Sequence, residues 1–198
     1  SFELFSQMGS QIAKQLAAWQ DLDLHQHICI NADAAEFSHP DFFDLVSNLL
    51  DSHKLAAHQL HIEVTESSLI QRHANVKKQL DSLKELGICL ALDDFGTGFA
   101  SLSYLQEYPF DFIKIDKSFI SKITNDRTQR AIVKAILDLA EALDMHVIAE
   151  GIENVQQRDL LLSMGCQYGQ GYWFGKPMTA DEATKMLTQQ HLSKNDRP

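Results

Sequence analysis

Stretches typical of β-strands alternate with stretches typical of α-helices along the whole 198-residue chain. Short apolar runs bounded by polar residues predict six strands, and apolar residues at helical spacing predict the helices between them. The six strand runs are H-I-C-I-N, L-H-I-E-V-T-E, I-C-L-A-L-D-D, F-I-K-I-D, H-V-I-A-E-G-I-E and C-Q-Y-G-Q. Such strict alternation is typical of parallel βαβ units, so the chain is predicted to belong to the α/β class.

The predicted helices cover 7–19, 41–51, 69–86, 127–143 and 180–190. Another helix is expected after the glycine loop that follows the third strand, and Asn154 is a candidate N-cap for one between the fifth and sixth strands. A polar tail begins at Ser193 and is expected to fray. The predicted organisation is therefore one domain over 1–192, followed by a tail over 193–198.

Polar residues at the strand ends distinguish between two α/β architectures. In a barrel the carboxyl ends of all strands meet on one face, whereas the strand ends of an open doubly wound sheet spread along a line. Asn31, Glu63, Asp93, Lys114, Glu150 and Gln170 each lie near the carboxyl end of a different predicted strand. We therefore predict a modified (β/α)8 TIM-like barrel. Because a complete barrel needs about 250 residues, about two N-terminal strands are expected to be missing from this sequence.

Composition excludes some classes of function. The formal net charge is −10, so the chain is a poor candidate for binding a DNA or RNA polymer through its phosphate backbone. It contains no apolar run of the roughly 20 residues that a membrane span requires. Its three cysteines are widely separated, which favours reduced thiols in a cytoplasmic domain. A longer parent protein could still carry a membrane anchor.

The strand ends would bring five carboxylates and one amide into one mouth of the barrel. Carboxylates this close raise each other's pKa unless a cation lies between them, and an all-oxygen ligand set is what Mg²⁺ or Mn²⁺ prefers. Lys114 could then hold a phosphate oxygen or the attacking water. The six residues are Asn31, Glu63, Asp93, Asp94, Asp116 and Glu150.

The same pattern leaves other interpretations open. A single acidic residue at a strand end is usually a helix cap or a solvated loop residue. A carboxylate-bound metal with a lysine also suits enolate chemistry, and paired carboxylates without metal suit glycoside hydrolysis. Gly96 and Gly98 lack the third glycine of a dinucleotide fingerprint, so they are interpreted as a bend over the site. Tyr172, Trp173 and Phe174 are expected to pack the barrel end rather than to stack on a base.

Seven stretches together resemble the EAL-type cyclic-di-GMP phosphodiesterase domains of bacteria. They are Q-L-A-A-W-Q, I-N-A-D-A, I-E-V-T-E-S, L-D-D-F-G-T-G-F-A-S-L-S-Y-L, I-K-I-D-K-S-F-I, I-A-E-G-I-E-N and Q-G-Y-W-F-G-K-P. The resemblance implies a modified barrel with one antiparallel strand, and hydrolysis of cyclic di-GMP to the linear dinucleotide with Mg²⁺ or Mn²⁺. It also implies a homodimer, and sensory or GGDEF domains fused to the domain in a longer parent.

The resemblance further implies a role for each matching residue. It implies that Asn31, Glu63 and Asp93 bind metal, and that Asp94 and Glu150 bind a second metal or activate water. Lys114 would orient the nucleophilic water. Glu66 would brace the loop containing Phe95, Gly96, Gly98 and Ser101, while Asp116, Glu153 and Gln170 would complete the site.

Two departures from the family pattern stand out. The Glu-Ala-Leu tripeptide that names the family would precede residue 1, and Glu141-Ala142-Leu143 is interpreted as a decoy inside the helix at 127–143. The stretch I-N-A-D-A keeps Asn31 but places Ala32 and Asp33 where the family usually has N-L-S-A. A non-catalytic receptor for cyclic di-GMP, or a protein-interaction module, is therefore the alternative to the phosphodiesterase. An enolase-like enzyme is a third and weaker alternative.

Overall fold

A sheet of six parallel strands forms the centre of the computed structural model, which describes residues 2–70, 74–96 and 102–195. The strands are β1 (Ile28–Ala32), β2 (Leu60–Thr65), β3 (Cys89–Phe95), β4 (Phe112–Ile115), β5 (His146–Ala149) and β6 (Tyr168–Gly169). They lie side by side in chain order, and every neighbouring pair among them is parallel. The six predicted strands are thus all present.

This strand order confirms the barrel-type winding. A doubly wound sheet reverses its order at a switch point, whereas a barrel adds each strand next to the previous one. In the part of the chain that the structure describes, the sheet is open, and β1 and β6 each have one strand neighbour. The antiparallel strand that the resemblance implies is not among these six strands.

Helices connect the strands and pack on one face of the sheet. They are α1 (Phe2–Gln20), α2 (Ala34–Phe37), α3 (Phe42–His53), α4 (Glu66–Ile70), α5 (Ala74–Leu86), α6 (Leu102–Glu107), α7 (Lys117–Ile120), α8 (Arg127–Ala142), α9 (Val155–Ser163) and α10 (Ala180–Asn195), with a 3₁₀ turn over Ala57–Gln59. Asn154 caps α9 through a reciprocal bond with Gln157, as the sequence predicts. Asp33, one of the unusual residues of I-N-A-D-A, forms the same kind of capping box for α2 with Glu36.

The apolar core lies between the sheet and these helices. Alternate strand residues point towards the helices, because successive side chains of a strand face opposite sides. Ile62, Leu90 and Ile113 on this face are completely buried, and Leu80 of α5 and Val133 of α8 pack in the same cluster. A smaller cluster joins the first and last helices, where the Trp19 indole N–H donates to the Thr184 hydroxyl at 2.8 Å.

The opposite face of the sheet carries aromatic rings near the amino ends of the strands. His27 stacks on His61 with ring centroids 4.2 Å apart, and His61 in turn contacts Phe112. Phe112 then contacts both His146 and Tyr168. This row of rings occupies the amino ends of the strands, and the carboxylates and Lys114 of the same face lie towards the carboxyl ends.

Several predicted boundaries differ from the structure. Glu66 begins α4 instead of ending β2, and β5 ends at Ala149, so that Glu150 and Glu153 follow the strand. The predicted helix over 69–86 corresponds to α4 and α5, with 71–73 outside the described residues. The last helix continues through Asn195, beyond the predicted end at 190 and into the predicted tail. No helix within the described ranges is long and apolar enough to cross a bilayer.

Candidate active site

The predicted functional residues meet at the carboxyl ends of the central strands. The parallel register pairs Asn31 with Glu63 across β1 and β2, so these two side chains point to the same face. Asp93 at the end of β3 and Lys114 in β4 reach that face through the pairing of the two strands. Glu150 follows β5 directly. Five neighbouring strands therefore supply the polar side chains of this face.

Lys114 is the centre of this cluster. Its ammonium nitrogen lies 2.7 Å from Glu63 Oε2, 3.0 Å from Asp93 Oδ1 and 2.8 Å from Glu150 Oε1. Lys114 is only 3% exposed and Glu63 5%, so water screens these ion pairs weakly. Burial by itself lowers the pKa of Lys114, but the hydrogen bonds that it donates to Glu150 and Glu63 outweigh burial and raise that pKa. The side chain is therefore a permanent cation surrounded by three carboxylates.

The adjacent carboxylates of Asp93 and Asp94 face the same site because β3 is irregular. In a regular strand, consecutive side chains point to opposite faces. Here the register with β4 shifts between Leu92 and Phe95, and Asp94 adopts a left-handed backbone with φ of 55°. One ligand oxygen each from Asp93, Asp94 and Glu150 then lie within 4.8 Å of one another.

The electrostatics of this trio favour a bound cation. Burial, followed by the charges of Asp93 and Asp116, raises the pKa of Asp94. Burial also raises the pKa of Glu150, although its hydrogen bond with Lys114 opposes the change. Both carboxylates are thus less stable in their charged form than ordinary ones. An oxygen-only set with this excess of negative charge fits a hard divalent cation.

Asp116 has a structural function that the sequence reasoning did not assign. It is the N-cap of α7, and its Oδ1 accepts the backbone N–H of Ser118 at 2.9 Å. Its hydrogen bonds with Ser118 are the main reason that its pKa is lowered. The cap keeps Asp116 ionised, and the negative charge of Asp116 contributes to the raised pKa of Asp94.

Glu66 is a buried carboxylate at the start of α4. It is 3% exposed, and among the residues that the structure describes neither of its carboxylate oxygens has a hydrogen-bond partner. An unpaired buried carboxylate is unfavourable, so such a group usually serves a partner or a ligand. The loop that it is predicted to brace includes Gly98 and Ser101, which lie outside the described residues.

The remaining predicted residues lie at the rim of the cluster. Asn31, Glu153 and Gln170 are exposed. Phe95 is buried, and Gly96 has a φ of +93°, with the Phe119 ring 3.1 Å from the position of an added Cβ. The structure therefore gathers Glu63, Asp93, Asp94, Lys114 and Glu150 closely and leaves the others around them.

Two residues near the site escaped the sequence reasoning. Gly151, next to Glu150, has a positive φ and lies against Lys117. The sequence signal that could have identified Gly151 is a glycine directly after a predicted functional residue. Cys29 shares the face of Asn31 by strand alternation, and burial followed by the charge of Glu63 raises the pKa of its thiol. Its thiol is therefore uncharged beside the cluster.

The aromatic residues after β6 do not pack as the sequence predicts. Tyr172, Trp173 and Phe174 are all exposed, so the expected role in core packing is wrong for this structure. The Arg158 guanidinium lies over the Trp173 ring, 5.4 Å from its centroid. In contrast, Glu141 of the decoy tripeptide is exposed on α8, as predicted.

Comparison with known sequences identifies one family and several relatives. The EAL domain model matches residues 1–177. Signaling protein YkoW of Bacillus subtilis is 38% identical over 180 residues, which cover 91% of this chain and 22% of YkoW. MucR of Pseudomonas aeruginosa, named a bifunctional diguanylate cyclase/cyclic di-GMP phosphodiesterase, is 35% identical over 87% of this chain and 25% of its own length. The chain thus spans about a quarter of the length of the curated relatives that it matches.

Solved structures of the same fold contain the nucleotide and metals. EAL enzyme Bd1971, in its cAMP- and cyclic-di-GMP-bound form, has a TM-score of 0.89 and 34% identity, covering 94% of this chain and 52% of that chain. Klebsiella pneumoniae BlrP1, in a manganese and cyclic-di-GMP complex, has a TM-score of 0.81 and 31% identity, covering 90% of this chain and 45% of that chain.

Proposed function

The chain belongs to the EAL domain family, and on that premise we propose that it hydrolyses one phosphodiester bond of cyclic di-GMP. The product is the linear dinucleotide pGpG, so the activity lowers the level of this bacterial second messenger. The observation that carries the proposal is the buried Lys114 ammonium beside the trio of Asp93, Asp94 and Glu150. Such a cluster combines a place for divalent cations with a fixed positive charge for an anionic substrate.

The carboxylates of the cluster would hold Mg²⁺ or Mn²⁺. Glu63, Asp93, Asp94 and Glu150 offer only oxygen ligands, and Asn31 adds an amide oxygen on the same face. A bound divalent ion makes a water molecule more acidic and neutralises a phosphate oxygen. The ion also explains how a chain with a net charge of −10 can hold a phosphodiester in an acidic mouth.

The residues of the chain orient the reaction. The Lys114 ammonium donates to the water that attacks phosphorus, which fixes the position of that water. Glu150 accepts the proton that the water loses, because burial raises its pKa and makes it a stronger base. Asp94 stands next to it with a pKa raised for the same reason. The bond between phosphorus and the leaving ribose oxygen breaks, that oxygen takes a proton from solvent water and leaves as a hydroxyl, and the cyclic dinucleotide becomes linear.

Residues around this centre would support it. We assign Glu66 to bracing the loop over Phe95, Gly96, Gly98 and Ser101, since its buried carboxylate requires a partner. Asp116, Glu153 and Gln170 surround the mouth and complete the site. A homodimer, a cytoplasmic location and a longer parent with a sensory or GGDEF domain remain part of the proposal.

Chromatography of the reaction products tests the function. The longest natural form of the protein is incubated with cyclic di-GMP and either Mg²⁺ or Mn²⁺, and the formation of pGpG is followed. Glu63→Gln keeps the size of the side chain but removes a charge from the cluster, so product should fall to background. Glu141→Gln, an exposed charge in α8, is the matched control and should leave the rate unchanged.

Three outcomes contradict the proposal. Product that forms equally well with Glu63→Gln would mean that the cluster is not the site of reaction. Retention of cyclic di-GMP without any pGpG, in the presence of both metals, would favour the receptor. Failure to bind any nucleotide would favour the enolase-like alternative.

A further inference from the structure

The Lys114 ammonium is held by three carboxylates. An ammonium group has three N–H donors. Its nitrogen lies between 2.7 and 3.0 Å from one oxygen each of Glu63, Asp93 and Glu150. In this state the Lys114 ammonium is ion-paired with three carboxylates at once.

The same carboxylates belong to the candidate ion site. Asp93 and Glu150 supply two of the three oxygens that lie within 4.8 Å of one another, and Asp94 supplies the third. Lys114 therefore shares two of the three ligands with a divalent ion. The ammonium and the ion are both positive, and because Lys114 is only 3% exposed, water screens the ammonium side of their repulsion weakly.

We propose that Lys114 is an internal competitor of the divalent ion. Without an ion, the ammonium keeps the mutually repelling carboxylates together. When an ion binds, it withdraws carboxylate oxygens from Lys114, and the released N–H donors become available to the attacking water. Metal loading thus switches Lys114 from a structural ion pair to its role towards the substrate. The inference rests on the proposed function for that last role, whereas the competition itself does not require hydrolysis.

A purely structural ion pair has a different consequence. If Lys114 only held the carboxylates in place, its removal would loosen the ion site and weaken metal binding. If it acted only on the water, its removal would leave metal affinity unchanged. Competition alone predicts that metal affinity rises when Lys114 is removed, while hydrolysis is lost.

Titration with Mn²⁺ separates these cases. Free Mn²⁺ is measured by electron paramagnetic resonance, at one fixed pH and without nucleotide, for the wild-type chain and for Lys114→Met. We expect Lys114→Met to bind Mn²⁺ at least tenfold more tightly, which corresponds to about 1.4 kcal/mol. Lys84→Met removes the same charge from an ion pair with Asp111 and should not change the affinity. Unchanged or weaker binding by Lys114→Met would overturn the proposal.

A second measurement uses only the wild-type chain, in case Lys114→Met does not fold. The buried ammonium of Lys114 should give a slowly exchanging ¹H–¹⁵N signal in nuclear magnetic resonance spectra of the metal-free protein. Saturation with diamagnetic Mg²⁺ should shift this signal and speed its exchange with water. A signal that stays unchanged at saturation, or a chain that binds neither ion, would refute the competition. Absence of pGpG in the hydrolysis assay would refute only the proposed function.

Discussion

Gly151 is the residue at which backbone geometry and the site are most directly connected. It follows Glu150 and has a φ of +69°. A Cβ added there would lie 2.4 Å from the Cβ of Lys117 and 3.3 Å from its Cα. Gly151→Ala should therefore strain the chain after β5 and press it against the start of α7. Because Glu150 is bonded to Lys114 at 2.8 Å, the displacement should also reach the carboxylate cluster.

The expected loss of stability has two parts. A left-handed backbone at a residue with a Cβ costs about 1–2 kcal/mol. Overpacking against a neighbour that cannot move freely costs about 1–3 kcal/mol more, so Gly151→Ala should lose about 2–5 kcal/mol of unfolding free energy. Gly165→Ala is the matched control: its φ is +97°, and an added Cβ meets nothing within 4 Å. It should lose only the backbone part, about 1–2 kcal/mol.

Urea unfolding of the metal-free chains, followed by circular dichroism, measures both free energies. Mn²⁺ affinity is the second readout, and it should fall for Gly151→Ala but stay unchanged for Gly165→Ala. Equal losses of unfolding free energy in the two variants would show that contact with Lys117 has no energetic effect. Wild-type Mn²⁺ affinity in Gly151→Ala would show that the position of Glu150 does not depend on this glycine.

Two further predictions concern single titratable groups. Asp94→Asn should bind Mn²⁺ at least tenfold more weakly. It should not lose stability, because Asn also tolerates a left-handed backbone. An unchanged Mn²⁺ affinity in calorimetric titration would exclude Asp94 as a ligand. Burial, followed by the charge of His27, lowers the pKa of His61 from 6.5 to about 4. As the pH falls below 6.5, the unfolded chain therefore binds a proton at His61 before the folded chain does. This contribution to the unfolding free energy, on the order of 3 kcal/mol, is fully present above pH 6.5 and is lost as the pH falls towards 4. His61→Phe should remove this part of the pH dependence from thermal melts of the metal-free chain. Plots of melting temperature against pH that run parallel for the wild-type chain and the variant would contradict the prediction.

The fold was largely predictable because its signals are local. Alternation of strands and helices follows from short apolar runs and helical spacing, and both can be read without knowing what packs on them. Boundaries were less predictable where two elements meet without a turn. Glu66 belongs to α4 and not to β2, since the apolar run of the strand continues directly into a helix.

The site was predictable as a set of residues but not as a geometry. Strand ends place Glu63, Asp93, Lys114 and Glu150 in one mouth, and this follows from the barrel alone. The threefold contact of Lys114 depends on the register between four strands, which the sequence does not show. The orientation of Asp94 was also hidden, because its left-handed backbone contradicts the alternation on which the prediction relied.

Exposed aromatic residues illustrate a different limit. Trp173 and its neighbours were expected in the core, because large apolar side chains are usually buried. Hydrophobicity describes the preference of a side chain, whereas burial also requires another element to cover it. Trp173 instead lies beside the Arg158 guanidinium on the surface.

The order of the strands has a consequence for how the chain assembles. Each strand pairs with the strand that precedes it in the sequence, so Ile28 meets Leu60 and Phe112 meets His146, 32 and 34 residues later. The entropy lost on closing a loop grows only with the logarithm of its length, so these similar loops carry similar penalties. No pairing within the described sheet has to wait for a distant segment. The sheet can therefore grow strand by strand in the direction of translation, while later residues are still being synthesised.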